Sequence, residues 1–200
     1  MSACSLEGPP LRRDTSVYRS LRSLKPLPPA LNARYSKLVA NRPILFLDVD
    51  GVISLFDFPM DGPPPGAYHS IDGIIHCIGD RAGELLARLA DRFELVWATG
   101  WEEKANEYLP HLLGLAGELP VLTFDGRAVF GSAHWKLQAI DAYAGDRPLA
   151  WIDDFLDERC RAWAERRPSP TLLIETESAV GMTAEHVEEL LAWAEEVTVA

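Results

Sequence analysis

The stretch Ile44-Leu45-Phe46-Leu47-Asp48-Val49-Asp50-Gly51-Val52 decides the fold, because an apolar run leads directly into two aspartates and a glycine. Such a run, bounded by turn residues, predicts a central parallel strand covered on both faces. Ligands bind beyond the carboxyl ends of such strands. Two carboxylates at this point repel each other unless a cation lies between them, and Mg²⁺ is the expected cation because it prefers hard oxygen ligands. A strand end with two solvated aspartates is the alternative that this stretch alone leaves open.

The rest of the chain alternates between apolar runs and helical patterns. Strands are predicted over residues 44–49, 94–99, 121–124, 149–153 and 171–175. Helices are predicted from Asp80 as a capping residue, over about 102–109 with a break near Pro110, over 134–143, over 155–166, and from Thr183 onward. Alternating strands and helices imply right-handed crossovers between parallel strands. We therefore predict an α/β domain with a three-layer, Rossmann-like, parallel five-stranded sheet.

Two segments stand apart from this pattern. Residues 1–42 contain several prolines and carry a net charge of +6, and we interpret them as a basic N-terminal arm, with a short helix near 31–40. Residues 43–200 form the predicted catalytic domain, which carries an insert at about 54–79. Within the insert, Asp72-Gly73 separates two apolar runs, a pattern that indicates a β-hairpin. The insert therefore holds only a proline-containing loop and this hairpin.

Composition restricts the compartment and the partners. Cys4, Cys77 and Cys160 form no disulfide or zinc pattern, and we expect a cytoplasmic protein without a secretory signal. No apolar run approaches the ~20 residues that span a bilayer. Residues 43–200 carry a net charge of −17, which disfavours a membrane surface and nucleic acid as partners unless a basic patch overrides it. The oligomeric state stays open.

Reactive side chains follow three of the predicted strands. Asp48 and Asp50 follow the first, Thr99 ends the second, and a pair of acids, Asp153 and Asp154, ends the fourth. Lys136 lies near the start of a predicted helix between the third and fourth strands. Because parallel strands end at one edge of a sheet, these groups are expected to share one crevice.

In this order the motifs resemble those of the haloacid dehalogenase-like (HAD) superfamily of phosphatases and phosphotransferases. Leu47-Asp48-Val49-Asp50-Gly51-Val52 matches the first motif, Val96-Trp97-Ala98-Thr99-Gly100 the second, Lys136 the third, and Trp151-Ile152-Asp153-Asp154 the fourth. The resemblance covers roughly residues 44–195. It implies a HAD-like fold of the compact or capless type.

The resemblance also implies a Mg²⁺-dependent phosphohydrolase that acts on a phosphomonoester. HAD enzymes commonly close over small substrates with a cap domain, whereas the insert here is a hairpin flap at most, so the site should be open and the ester large or exposed. Asp48 would be the nucleophile that forms an aspartyl-phosphate, and Asp50 would be the general acid and base, with its backbone carbonyl reaching the metal. Thr99 and Lys136 would bind the phosphoryl group. Asp153 and Asp154 would complete the metal site, and which of these two or Asp157 binds directly stays open. Gly51, Gly100 and Trp101 are the predicted substrate-binding residues.

A narrower resemblance links Ala98-Thr99-Gly100-Trp101 and the small insert to the compact HAD domains of bacterial RNA-repair assemblies. Those domains place serines and then arginine after the second strand, whereas this chain has Gly100-Trp101-Glu102. Nucleic acid is therefore a conceivable partner but not the favoured one. Trp101 would either stack on a base or pack beneath its loop. The competing functions are a nucleic-acid-end phosphatase, a haloalkanoate dehalogenase, which would not need Asp50, and a catalytically idle binding module.

Overall fold

Strand β1 (Ile44–Leu47) lies inside a parallel four-stranded sheet with the order β5-β1-β6-β7. The other three strands are β5 (Glu94–Trp97), β6 (Leu149–Asp153) and β7 (Thr171–Glu175). The computed structural model describes residues 42–124, 126, 128–129 and 131–199. The N-terminal arm up to residue 41, with its predicted helix at 31–40, lies outside the described residues.

Helices cover both faces of this sheet. They are α1 (Ala82–Leu89), α2 (Lys104–Leu113), α3 (Leu137–Ala144), α4 (Glu158–Arg166) and α5 (Ala184–Val199). Successive side chains of a strand point to opposite faces. Accordingly, Leu45 and Leu47 pack in the cluster that includes α1, α2 and α5, whereas Ile44 and Phe46 pack in the cluster that includes α3 and α4. The predicted three-layer α/β arrangement is confirmed.

The predicted fifth strand is the main difference. Residues 121–124 make only an isolated parallel bridge, between Val121 and Trp97 at the edge of the sheet. Three residues farther on, the Phe124 amide donates to Glu102 Oε1 at 2.7 Å instead of to a strand. The Glu102 side chain thus accepts the hydrogen bond that a neighbouring strand would otherwise accept. The regular sheet therefore has four strands rather than five.

The insert is a small antiparallel sheet. Its strands are β2 (Ser54–Leu55), β3 (Gly66–Ile71) and β4 (Ile74–Gly79), in the order β2-β4-β3. Asp72 and Gly73 both have positive φ angles, of 51° and 80°, as a tight two-residue hairpin turn requires. The predicted hairpin is confirmed, and β2 adds a strand that the sequence did not reveal.

Several helix boundaries differ from the prediction; the helix predicted over 155–166, for example, begins at Glu158. Pro110 lies inside α2 instead of ending it, because the apolar face of this helix, formed by Ala105, Leu109 and Leu113, is buried on both sides of the proline. Asp80 does not cap α1; Arg81 holds that position and makes no side-chain capping bond. In the part of the chain that the structure describes, no helix is long and apolar enough to cross a membrane.

Candidate active site

Asp48 follows β1 directly, and both of its carboxylate oxygens are held. Oδ1 accepts a hydrogen bond from the Val49 amide at 2.8 Å, and Oδ2 lies 2.7 Å from Lys136 Nζ. The residue is only 8% exposed, so its carboxylate is nearly withdrawn from water. This carboxylate is oriented by contacts on both sides before any substrate binds.

Lys136 is the buried cation between two of the acids. It ends the 3-10 helix His134–Lys136, and its Nζ lies 2.7 Å from an oxygen of Asp48 and 2.7 Å from Asp153 Oδ2. Burial alone would lower the pKa of Lys136, but the two carboxylates outweigh burial and raise it. The ammonium therefore stays charged and positioned beside Asp48.

Three aspartates at this edge of the sheet form a cluster. Oxygens of Asp48, Asp153 and Asp154 all lie within 4.8 Å of one another. Burial raises the pKa of Asp153, and repulsion from Asp48 adds to the effect although Lys136 opposes it. Burial, with a smaller contribution from Asp48, raises the pKa of Asp154 to about 6. Against one ammonium, three carboxylates leave a surplus of two negative charges, and their oxygens are the hard donors that Mg²⁺ prefers. This donor set fits a divalent cation.

Gly51 brings Asp154 into this cluster. Its φ of +70° favours glycine, and a Cβ built on it would lie 2.0 Å from Asp154 Oδ2. The turn is further fixed by the Thr176 hydroxyl, which donates to the Gly51 carbonyl at 2.8 Å. The Ser178 hydroxyl donates to Asp154 Oδ2 at 2.7 Å. Gly51 is therefore a close-approach position, and its contact with substrate stays a prediction.

Asp50 is not part of the three-aspartate cluster and contacts Trp101 and the hairpin instead. Its Oδ2 accepts a hydrogen bond from Trp101 Nε1 at 2.9 Å, and its Oδ1 lies 3.9 Å from His76 Nδ1. His76 in turn shares a 2.9 Å hydrogen bond with Ser54 Oγ. Partial burial raises the pKa of Asp50, although the Trp101 bond acts in the opposite direction. A carboxyl group in this setting holds its proton more readily than a solvated one.

Thr99, Gly100 and Trp101 lie at the end of β5. Thr99 is fully buried, and its hydroxyl accepts a hydrogen bond from the Trp101 amide at 3.3 Å. Gly100 is exposed and lines the pocket above the aspartates. The Trp101 ring packs edge-on against His76, with 4.6 Å between the ring centroids. Contact of these three residues with substrate stays a prediction.

Asp157 lies apart from the cluster. Its Oδ1 accepts hydrogen bonds from the amides of Arg159 and Cys160 at the start of α4, and its Oδ2 lies 2.6 Å from His134 Nδ1. A side chain that caps a helix in this way satisfies amides that have no partner within the helix. Of the three acids left open by the sequence, the structure places Asp153 and Asp154, but not Asp157, beside Asp48.

A pocket of about 540 Å³ opens above these groups. Its charged floor is formed by Asp48, Lys136, Asp153 and Asp154, and Asp50 also lines it. Its apolar walls include Phe56 and Trp135. The insert between β1 and α1 contributes only the small antiparallel sheet and its loop, so no separate cap domain is present among the described residues.

Comparisons with known proteins identify the family of this chain. A family model described as the HAD domain in Swiss Army Knife RNA repair proteins matches residues 44–187. The chain belongs to this family. No curated protein matches the sequence. The solved structure of a protein described as a HAD superfamily (subfamily III A) hydrolase from Legionella pneumophila aligns with a TM-score of 0.40 and 16% identity, covering 85% of this chain and 96% of the other.

Some residues of this HAD domain's site were not predicted. His76 approaches Asp50 because the hairpin register places it opposite His69 and close to the end of β1. Ser178 contacts Asp154 from the segment after β7. The period-2 pattern of the hairpin could have assigned the face of His76, but nothing local in the sequence indicates Ser178. Trp135 adjoins Lys136 in sequence, and this adjacency was an available signal.

Proposed function

We propose that this HAD domain is a Mg²⁺-dependent phosphohydrolase that cleaves a phosphomonoester through an aspartyl-phosphate on Asp48. Membership of a HAD family supports a hydrolase in general. The observation that carries the proposal is the buried Asp48–Lys136–Asp153 arrangement, with 2.7 Å between Nζ and each carboxylate. It presents an oriented carboxylate beside a fixed positive charge, as attack on an anionic phosphoryl group requires.

The first half of the reaction uses Asp48 and Asp50. An oxygen of Asp48 attacks phosphorus, and the bond from phosphorus to the ester oxygen breaks. Asp50, as a carboxylic acid, gives its proton to the departing oxygen. The raised pKa of Asp50 supports this role, because a general acid must hold a proton near the working pH.

The second half returns both residues to their starting state. Asp50, now a carboxylate, takes a proton from water while the water oxygen attacks phosphorus. The bond between phosphorus and Asp48 then breaks, releasing inorganic phosphate. Trp101 Nε1, at 2.9 Å, holds the carboxyl group of Asp50 in one orientation for both proton transfers.

The metal would be held by Asp48, Asp153 and Asp154, with the Asp50 carbonyl as the further ligand that the HAD resemblance implies. When bound, Mg²⁺ would neutralise charge on the phosphoryl oxygens. Lys136 remains paired with Asp48 and Asp153, so it supplies a positive charge that does not depend on the metal.

The site supports an exposed phosphomonoester as substrate, because no cap domain covers the pocket in the described residues. A second candidate is a phosphate at an RNA end, since the matching family is described by its occurrence in RNA repair proteins. The acidic charge of residues 43–200 weighs against this candidate and the basic arm weighs for it. We also propose a cytoplasmic location, in keeping with the free thiols of Cys77 and Cys160.

A screen of phosphorylated metabolites, nucleotides, RNA ends and phosphopeptides tests the proposal through release of inorganic phosphate. We expect Mg²⁺-dependent turnover of at least one class, loss of turnover in EDTA, and recovery when Mg²⁺ is restored. Asp48→Asn keeps the shape of the side chain but removes its nucleophilicity, so it should be inactive and folded. Turnover by Asp48→Asn, or no turnover of any class by the wild type, would contradict the proposal; the second result favours an idle binding module.

A further inference from the structure

The pocket is lined by both charged and apolar residues, and phosphoryl transfer accounts only for the charged ones. Charged groups, including Asp48 and Lys136, form one part of its lining, and the side chains of Phe56 and Trp135 form an apolar part. A volume of about 540 Å³ exceeds what a phosphate needs and lies in the range of small-molecule sites. The apolar part therefore has room for the group to which the phosphate is attached.

Trp135 is held rigidly at the junction of the two parts. Its Nε1 donates to the Ser132 carbonyl at 2.7 Å, and its ring packs edge-on against Phe124 with 4.6 Å between centroids. Lys136 Nζ lies 5.3 Å from the same ring centroid. These three contacts restrain the ring, and Trp135 is partly exposed and lines the pocket. A preorganised ring loses little entropy when a ligand stacks on it.

Ser132 adds a polar group to this wall. Its Oγ is buried and has no hydrogen-bond partner among the described residues, although the residue lines the pocket. A buried hydroxyl without a partner is costly, so a ligand atom that accepts from it or donates to it would be stabilised. Trp101 does not line this cavity; it lines a neighbouring one together with His76 and Lys104.

We propose that Trp135 is the specificity-determining residue for a substrate whose leaving group carries a planar aromatic ring. The inference rests on the proposed phosphohydrolase function and adds its substrate class. The phosphate lies at the charged end, the ring stacks on Trp135 beside Phe56, and a polar atom on the ring pairs with Ser132. Offset or edge-on contact between two aromatic rings stabilises binding by more than the burial of apolar area alone. A puckered aliphatic ring of the same size lacks that contribution.

The test compares benzyl phosphate with cyclohexylmethyl phosphate, whose leaving alcohols have similar size and acidity. Wild-type kcat/KM with Mg²⁺ should favour benzyl phosphate by about 3- to 10-fold, the range expected for one aromatic contact. Trp135→Leu keeps apolar volume against Phe124 and should bring this ratio close to one. Trp135→Phe should retain most of it. Trp193→Ala is the matched control, because Trp193 also packs on a phenylalanine, Phe93, but lies on α5 away from the pocket.

The results with these esters and variants distinguish the failure of the proposed function from the failure of the aromatic inference. If no ester is cleaved in an Asp48-dependent way, the proposed function fails. If Trp135→Leu keeps the full preference, the phosphohydrolase survives but the aromatic inference is overturned.

A second pair, adenosine 5′-phosphate and ribose 5-phosphate, identifies the source of the ring. Preference for the nucleotide that is lost in Trp135→Leu assigns a nucleobase to the pocket. Preference confined to benzyl phosphate assigns a ring attached close to the phosphate. An absence of ring preference in both pairs overturns the inference.

Discussion

Gly51 determines how closely the turn after β1 approaches Asp154. Gly51→Ala would place a methyl group 2.0 Å from Asp154 Oδ2, so the carboxylate must leave its position beside Asp48 and Asp153. We expect kcat to fall at least tenfold, because preorganised charged groups contribute about two orders of magnitude each. Steady-state kinetics at saturating Mg²⁺ measures the effect.

Gly114→Ala is the control for backbone strain. Gly114 also has a positive φ, +66°, but no atom lies within 4 Å of its would-be Cβ. Both variants should lose about 1 kcal/mol of stability from the left-handed backbone, and only Gly51→Ala should lose activity. Equal activity in the two variants would show that the position of Asp154 is unimportant for turnover.

We predict that substitutions of Asp154 and Asp157 have different effects on the stabilisation by Mg²⁺. A ligand that binds only the folded state at ten times its Kd stabilises that state by about 1.4 kcal/mol, so Mg²⁺ should raise the unfolding temperature of the wild type. Asp154→Asn keeps an acceptor for Ser178 but removes a charge from the cluster, and it should lose most of the rise. Calorimetry with and without Mg²⁺ is the measurement.

Asp157→Ala is the informative comparison. Loss of the cap on α4 should cost about 1 kcal/mol in both conditions, while the Mg²⁺-induced rise remains. A rise that disappears in Asp157→Ala and persists in Asp154→Asn would place the metal at Asp157 instead.

For single residues, the sequence predicted which side chains lie close together, but it predicted less about the contacts that they make. Parallel strand ends share an edge, and this rule alone brings Asp48 to within 4.8 Å of Asp153 and Asp154. The partners of Asp50 could not be predicted so directly. The approach of His76 to Asp50 depends on the register and placement of a hairpin. The hydrogen bond from the Trp101 indole depends on a side-chain rotamer that is set by packing.

Among the elements, the hairpin β3–β4 is tied to the body of the domain at its tip. Asp72 accepts a 2.8 Å hydrogen bond from the Tyr108 hydroxyl and pairs with Lys104, and both partners lie on α2. The hairpin also carries His76 toward Asp50. The double variant Lys104→Met/Tyr108→Phe removes both contacts without changing the turn. Hydrogen exchange of the amides of residues 66–79 should become severalfold faster, because the tip is no longer held.

Arg81→Ala serves as the control for this experiment, because it removes another exposed ion pair, with Glu84, just beyond the hairpin. Exchange within residues 66–79 should be unchanged in this variant. If the double variant also exchanges at the wild-type rate, the tip contacts do not restrain the flap.

The helices and strands were largely predictable wherever the sequence has a clear apolar run or a periodic apolar pattern. The four strands of the parallel sheet follow from apolar runs, and the hairpin from Asp72-Gly73. Predictions failed where one side chain decides the outcome. Glu102 takes the Phe124 amide and ends the would-be fifth strand, and burial on both sides of Pro110 overrides the helix-breaking tendency of proline.

The whole molecule combines charges of opposite sign along one chain. Residues 1–42 carry a net charge of +6, whereas the remainder carries −17. The acidic part repels a polyanion at low salt, so an RNA end can be a good substrate only if the basic segment recruits it. A small phosphate ester needs no such recruitment. The dependence of activity on salt therefore separates the two kinds of substrate.

The final prediction uses the full chain with glutamine at Arg12, Arg13, Arg19, Arg22 and Lys25. For an RNA oligonucleotide with a terminal phosphate, wild-type kcat/KM should fall steeply as salt rises, because each neutralised phosphate releases counterions. The glutamine variant should show a shallower slope with RNA and the wild-type slope with benzyl phosphate. Identical slopes for the two proteins on RNA would show that the segment does not recruit it. A slope that changes equally for benzyl phosphate would instead place the effect at the active site, since no polymer is present to be recruited.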